Sequence, residues 1–145
     1  MKILIIGGTG LISTPMTHFF GERGDEVTHY NRGRLELYPV PPEVKSLRGD
    51  RTDYANFERQ MAEAGPFEVV IDMVGYTPED AESVVRAFRG RTGHFIFCST
   101  VDVYLKPASR YPVSEAEGYG GLNTYSRNIV KPQQTCQVSE NLTGF

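Results

Sequence analysis

The sequence is short of the residues that staple or metallate a small domain. Its 145 residues contain two cysteines, Cys98 and Cys136, with no metal-ligand spacing. They read as reduced thiols of a cytosolic protein. Three histidines, His18, His29 and His94, are scattered, and none pairs with a cysteine or carboxylate at ligand spacing. They are assigned structural roles, and no metal is expected. Positive charge is not in excess: 15 Lys and Arg against 18 Asp and Glu leave a net charge of −3. That balance argues against a nucleic-acid partner held by bulk charge, although local basic patches remain open. Long apolar runs are missing as well. The N-terminal run KILII stops at Gly7, too early for a signal peptide. No segment is long enough to cross a membrane. The expectation is a soluble, cytoplasmic protein without internal repeats, long enough for one domain with its own core.

What is present is concentrated in MKILIIGGTGLIS. Lys2 to Ile6 is a branched apolar run that suits a buried parallel strand. It leads into Gly7-Gly8-Thr9-Gly10, and Ile12, Met16, Phe19 and Phe20 then form a helical stripe. Strand, glycine turn and helix together are the setting of a dinucleotide-binding turn. Glycines let the backbone turn tightly and let a pyrophosphate approach without meeting a Cβ. The helix start at Leu11 and Ile12 offers unpaired N–H groups and a positive dipole end to phosphate. Pro15 lacks an N–H and is harmless only in a first turn, which predicts a helix beginning near Leu11. The alternative is a glycine-rich turn that binds nothing.

Further strands are predicted at Glu26–Tyr30, Val44–Leu47, Phe67–Met73 and His94–Cys98, alternating with helical patterns. The second ends in Asn31-Arg32-Gly33-Arg34. An acidic residue about 20 positions after a glycine turn binds the ribose 2′-hydroxyl of NAD, whereas a nearby Arg accommodates the 2′-phosphate of NADP. Here Asn31 holds that place and Arg32 and Arg34 follow, which favours NADP over NAD; the alternative is two solvated loop arginines. Thr52 or Asp53 is a candidate cap for a helix carrying Tyr54, Phe57 and Met61. The fourth strand is nearly all apolar and is expected to be buried on both faces, with Val74 and Gly75 at its carboxyl end. Ligands of open parallel sheets lie beyond such ends, where strand order reverses, and Gly75 lets ribose and phosphates pass close. Thr77-Pro78-Glu79-Asp80 predicts a capped helix start, Ala81, Val84, Val85 and Phe88 its buried stripe, and Gly90 its stop. The fold class is α/β: a Rossmann-like, doubly wound parallel sheet of order 3-2-1-4-5.

The spacing Gly7-x-x-Gly10-x-x-Ser13 resembles the glycine turn of the extended short-chain dehydrogenase/reductases, the NAD-dependent epimerase/dehydratase family. Ser13 stands where that family has its third glycine, which implies a modest packing cost with binding retained. Gly49-Asp50-Arg51-Thr52-Asp53 is similar to the segment after the third strand. The resemblance implies that Asp50 accepts from the adenine amino group and that the Arg51 backbone or stem lies beside the ring. Ser99-Thr100-Val101-Asp102-Val103-Tyr104 resembles the Ser-Ser/Thr-x-x-Val-Tyr segment, which implies Thr100, with Ser99 beside it, as the hydroxyl bonding the substrate oxygen. Ordinary turn chemistry after a strand is the other reading, and Tyr104 is assigned to packing.

The resemblance weakens after residue 128. Tyr125 matches the acid/base tyrosine of Tyr-x-x-x-Lys, but Ile129 holds the lysine position. Free tyrosine has a pKa near 10, so only about 0.1% is ionised at neutral pH without that lysine. Arg127 and Lys131 lie about 200° and 240° round a helix from Tyr125, off its face. Pro132 breaks the helix there. The expectation is a nucleotide-binding domain over residues 1–128 and an atypical tail over 129–145, with the family's substrate lobe missing from a truncated or frame-altered member. The implied activity is hydride transfer on a nucleotide-sugar-like substrate with NADP or NAD, weak or absent in this chain, and a possible homo-oligomer follows from the exposed surface. A second class of function stays open: a non-catalytic dinucleotide sensor or scaffold, or an RNA-associated relative. The chloroplast stem-loop-binding proteins share a similar Asn/Thr-Arg-Gly segment after the second strand.

Overall fold

Five short runs rich in branched residues pair into one all-parallel sheet in a computed structural model, which describes residues 1–33, 38–100, 103–104, 112–114, 116 and 118. The elements are β1 (Lys2–Ile6), α1 (Ser13–Glu22), β2 (Glu26–Asn31), β3 (Lys45–Arg48), α2 (Tyr54–Ala64), β4 (Phe67–Asp72), α3 (Pro78–Phe88) and β5 (Thr92–Phe97). The strand order is β3-β2-β1-β4-β5, as the pattern predicts. Ile3 of β1 sits opposite Val27 on one side and Val69 on the other, so β1 lies at the point where the order reverses. Strand ends move by a few residues from the pattern. β3 runs one residue later than Val44–Leu47, and β5 begins at Thr92 because its ladder with β4 starts at the Phe67–Thr92 pair.

Alternation along β1 divides the core between the two faces of the sheet. Leu4 and Ile6 join Tyr30, Phe57, Met61, Val84 and Phe88 under α2 and α3. Ile3 and Ile5 join Val27 and Ile71 on the side of α1, with Met16 and Phe20 packed against them. Each fully buried side chain of this size is worth about 1.5–3 kcal/mol relative to exposure. β4 is less apolar than expected: Glu68 is exposed near its start, where its carboxylate accepts the Lys2 N–H at 2.8 Å.

The helix starts differ. α3 begins with the capping box that its sequence announces: Thr77 Oγ1 accepts the Asp80 N–H at 3.2 Å and Asp80 Oδ2 accepts the Thr77 N–H at 3.0 Å. Asp53 caps α2, accepting the Asn56 N–H at 3.3 Å. α1 departs from expectation twice. It begins at Ser13, not Leu11, and Pro15 still falls in its first turn. Its buried residues are Ser13, Thr14 and Thr17, while Ile12 and Phe19 of the anticipated stripe are 64% and 59% exposed. The reason is distance. Small side chains let the helix sit close to the sheet, and their hydroxyls bond back to its own backbone: Thr14 Oγ1 to Gly10 O at 2.9 Å, Thr17 Oγ1 to Ser13 O at 2.8 Å.

Thr77→Ala removes the cap acceptor of α3 and is expected to cost about 1 kcal/mol, a fall of about 2–4 °C in Tm for a domain of this size. Thr77→Ser keeps the acceptor and is expected to stay near the parent. Thermal unfolding followed by circular dichroism checks both.

Candidate functional site

At the carboxyl end of β1 the chain turns on bare backbone. Gly7 has φ +87°, and its N–H donates to Tyr30 O at 2.9 Å. A Cβ on Gly7 would lie 2.6 Å from Val74 Cγ1, and one on Gly8 would fall within 2.6 Å of His29 Nε2. Both contacts are far closer than a real Cβ tolerates, so the turn lies flush on the sheet only because these positions have no side chain. Ser13 braces it from below: its Oγ accepts the Gly10 N–H at 2.8 Å and donates to Gly7 O at 3.1 Å. The residue in the third-glycine position is therefore a buried strut. The N–H groups of Leu11 and Ile12 have no acceptor among the described residues, and the first turn of α1 carries no acidic side chain.

His29 is buried beneath Gly8, with Nε2 2.8 Å from Thr17 Oγ1. The Thr17 hydroxyl proton is committed to Ser13 O, so the imidazole Nε2 donates to the Thr17 oxygen. Burial pushes the His29 pKa down to about 4.

The turn forms one wall of a cleft of about 400 Å³ beyond the carboxyl ends of the strands. That volume suits a small-molecule site. Gly7, Thr9, Gly10, Asn31, Arg32, Asp50, Arg51 and Val74, all expected to touch a cofactor, line it. Gly8, Leu11, Ile12 and Gly75 do not line it: Gly8 faces His29, and Gly75 backs onto Phe97 and Asp72. Tyr30, Gly33, Gly49, Thr52, Tyr76 and Asp80 line it without having been anticipated. Their signal was adjacency, since each neighbours an expected residue or caps an expected helix. Asn31 is committed to its own turn, its Oδ1 accepting the Gly33 N–H at 2.8 Å. Asp50 Oδ1 accepts from the Thr52 N–H at 3.0 Å and from its hydroxyl at 2.8 Å.

Below the cleft floor lies a buried charge cluster. Arg51 lines the cleft but is only 7% exposed. Its Nη2 donates to Asp80 O at 2.5 Å and lies 3.4 Å from Asp72 Oδ2, and Cζ sits 4.3 Å above the Phe57 ring. Nε and Nη1 have no acceptor among the described residues. Asp72, at the end of β4, accepts the Val74 N–H at 3.0 Å through Oδ1. Burial holds the Asp72 carboxyl above its ordinary range, against the pull of Arg51 and of that N–H. The Asp80 carboxylate accepts the Tyr76 and Thr77 N–H groups at 2.9 and 3.0 Å. One guanidinium thus ties the β3–α2 turn to the end of β4 and the start of α3.

Ser99 and Thr100 follow β5 beyond its carboxyl end, where the Cys98 N–H donates to Asp72 O at 2.9 Å. Ser99 is exposed and Thr100 half-buried, on the rim that carries the glycine turn but not among the cleft-lining residues. Arg34, Tyr125 and Ile129 lie outside the described residues. No metal-holding group of His, Cys, Asp or Glu exists among the described residues. No helix among them is long and apolar enough to cross a membrane.

No family model matches the chain. The chain is 32% identical over 117 residues to the Arabidopsis thaliana chloroplast stem-loop binding protein of 41 kDa b, covering 72% of this chain and 30% of that protein. Among solved structures it resembles a UDP-galactose 4-epimerase, with TM-score 0.84 and 20% identity over 99% of this chain and 53% of that one. The Brucella ovis UDP-glucose 4-epimerase, crystallised with NAD, gives TM-score 0.82 and 22% identity over 99% of this chain and 49% of its own. Bordetella bronchiseptica WbmG, crystallised with NAD and UDP, gives 0.82 and 16% over 97% and 50%. The chain spans about a third of the curated relative and about half of these solved chains. The likeness to the solved epimerases is one of fold, a single parallel sheet flanked by helices.

Two measurements test the site's support. Arg51→Met leaves Asp72 buried without its cation and is expected to destabilise the chain by about 3 kcal/mol, with part recovered on adding Asp72→Asn. Urea unfolding of the two variants checks it. His29 titrates at about 4 in the folded chain against 6.5 unfolded. The unfolded chain therefore binds more protons between these values, and this contribution is complete above pH 6.5 and lost as pH falls toward 4. His29→Gln is expected to flatten that loss, on the order of 1–3 kcal/mol, relative to the parent across the same range. Parallel pH series of unfolding midpoints read the difference, in which the carboxylates common to both proteins cancel.

Proposed function

We propose that this chain is a nicotinamide-dinucleotide-binding domain of an epimerase/dehydratase or reductase acting on a nucleotide-sugar-like substrate, with NADP preferred over NAD. The observation that carries the reading is the bare turn of Gly7 and Gly8 pressed against Val74 and His29, with a cleft at its lip. A diphosphate fits there. Leu11 and Ile12 supply N–H groups, and the N-terminus of α1 supplies the positive end of its dipole. In this reading Asp50 accepts from the adenine amino group, and Arg32 and Arg34 pair with a 2′-phosphate. Solved structures of similar fold in complex with NAD and UDP support a dinucleotide and a nucleotide-linked substrate.

When bound, the nicotinamide supplies a hydride acceptor or donor, which is the redox chemistry of the family. The chain's own residues supply position and protons. Thr100 holds the substrate oxygen, with Ser99 beside it, and Tyr125 moves the proton. Isoleucine at 129 leaves the phenol protonated at neutral pH, so turnover by this chain is expected to be slow or absent. Residues 1–128 form the dinucleotide domain and 129–145 an atypical tail.

The name of the 32%-identical relative supports a second reading, in which the domain serves an RNA-binding protein. The net charge of −3 weighs against it.

Thermal unfolding of the 145-residue chain with NADP, NAD or an RNA stem-loop separates the readings. Saturation at 100 times Kd is expected to stabilise the chain by about 2.7 kcal/mol, and NADP is expected to do so at lower concentration than NAD. Absence of a shift with either dinucleotide overturns the first reading. Stem-loop binding that falls steeply with salt, without a dinucleotide shift, establishes the second.

A further inference from the structure

β3 brings a third guanidinium to the turn after β2. In the parallel β2–β3 ladder the last pair is Asn31 opposite Arg48. The chain then passes through Gly33, and the Arg48 side chain lies across it. A Cβ on Gly33 would meet Arg48 Nε at 3.1 Å and Cζ at 3.3 Å. Gly33 also has φ +66°, a conformation side chains rarely adopt. The positive φ favours glycine at 33, and the missing Cβ leaves room for Arg48 to lie against it. Gly33 and Arg32 both line the cleft. Among the described residues neither Arg32 nor Arg48 forms an ion pair, although seven ion pairs occur elsewhere. Asn31, the residue between strand and turn, is uncharged and spends its carbonyl oxygen on the Gly33 N–H. Two arginines from adjacent strand ends thus meet near one glycine, Arg32 lining the cleft and Arg48 lying across Gly33 beside it, with no ion pair to either among the described residues.

We propose that Arg48 is a specificity-determining residue that, with Arg32, clamps the 2′-phosphomonoester of an adenosine ribose. The inference rests on the dinucleotide reading above and adds a residue from β3 to it. Guanidinium groups suit the task because their donor forks match phosphate oxygens and stay charged at every working pH. A 2′-hydroxyl offers them no charge, so the clamp acts on NADP and leaves NAD nearly untouched.

Isothermal titration of the full chain with NADP, NAD, 2′-AMP and 5′-AMP tests this. Arg48→Gln is expected to weaken NADP and 2′-AMP about tenfold or more, in keeping with the loss of a charge-assisted bond, and to leave NAD and 5′-AMP within about twofold. Arg48→Lys is expected to fall between. Arg48 is exposed, so the variants are expected to fold, and unchanged NAD affinity confirms it. Equal loss for NADP and NAD, or no loss for either, overturns the role of Arg48 while the dinucleotide reading stands. Failure of the parent chain to bind any of the four ligands overturns both.

Discussion

Everything at this site depends on how closely the first turn can approach the sheet. Gly7 and Gly8 meet Val74 and the His29 imidazole at distances where a side chain would overlap them. The missing side chains permit the approach, and the bonds from Ser13, Thr14 and Tyr30 hold the turn there. That fit sets the height of the α1 N-terminus over the strand ends and hence the depth of the cleft. Any substituent on either glycine lifts the turn or displaces its supports, and the amides of Leu11 and Ile12 move with it.

The layers underneath are polar where a fold of this size is usually apolar, and each polar group has a local reason. α1 approaches the sheet through Ser13, Thr14 and Thr17, whose hydroxyls bond to backbone within the same turn. The burial cost is offset locally, and the small volumes permit close approach. Arg51 does the equivalent on the other face. It is caught between the Asp72 side chain, the Asp80 carbonyl and the Phe57 ring. Such a cluster contributes little net stability but penalises rearrangement, because moving one partner leaves another buried charge alone. It links the turn expected beside an adenine to the strand end expected beside the ribose.

The glycine-turn pattern that the sequence resembles is kept at the cradle and altered around it. Serine replaces the third glycine of the turn, yet its hydroxyl lies between Gly7 O and the Gly10 N–H, so the change adds bonds at the point of closest packing. Isoleucine stands at 129, where the resembled pattern has lysine.

Strand order, the capping box of α3, the Asp53 cap and the glycine turn were all legible in the sequence. Each rests on local chemistry: branched runs favour buried parallel strands, and Thr77, Asp80 and Asp53 bond within a few residues of themselves. The buried face of α1 was half legible: Met16 and Phe20 of the apolar stripe pack on the core, but Ile12 and Phe19 do not, because only the distance between helix and sheet selects the small hydroxyls of Ser13, Thr14 and Thr17 for the closest approach. The inward turn of Arg51, which needs Asp72 and Asp80 from two later elements, was not legible, nor was the passage of Arg48 across Gly33, which needs the β2–β3 register. The amino-acid order determined the architecture and the location of the cradle, since both follow from contacts near in the chain. Tertiary structure decided which side chains face the cleft and which support it, because those assignments depend on elements that meet only when the sheet closes.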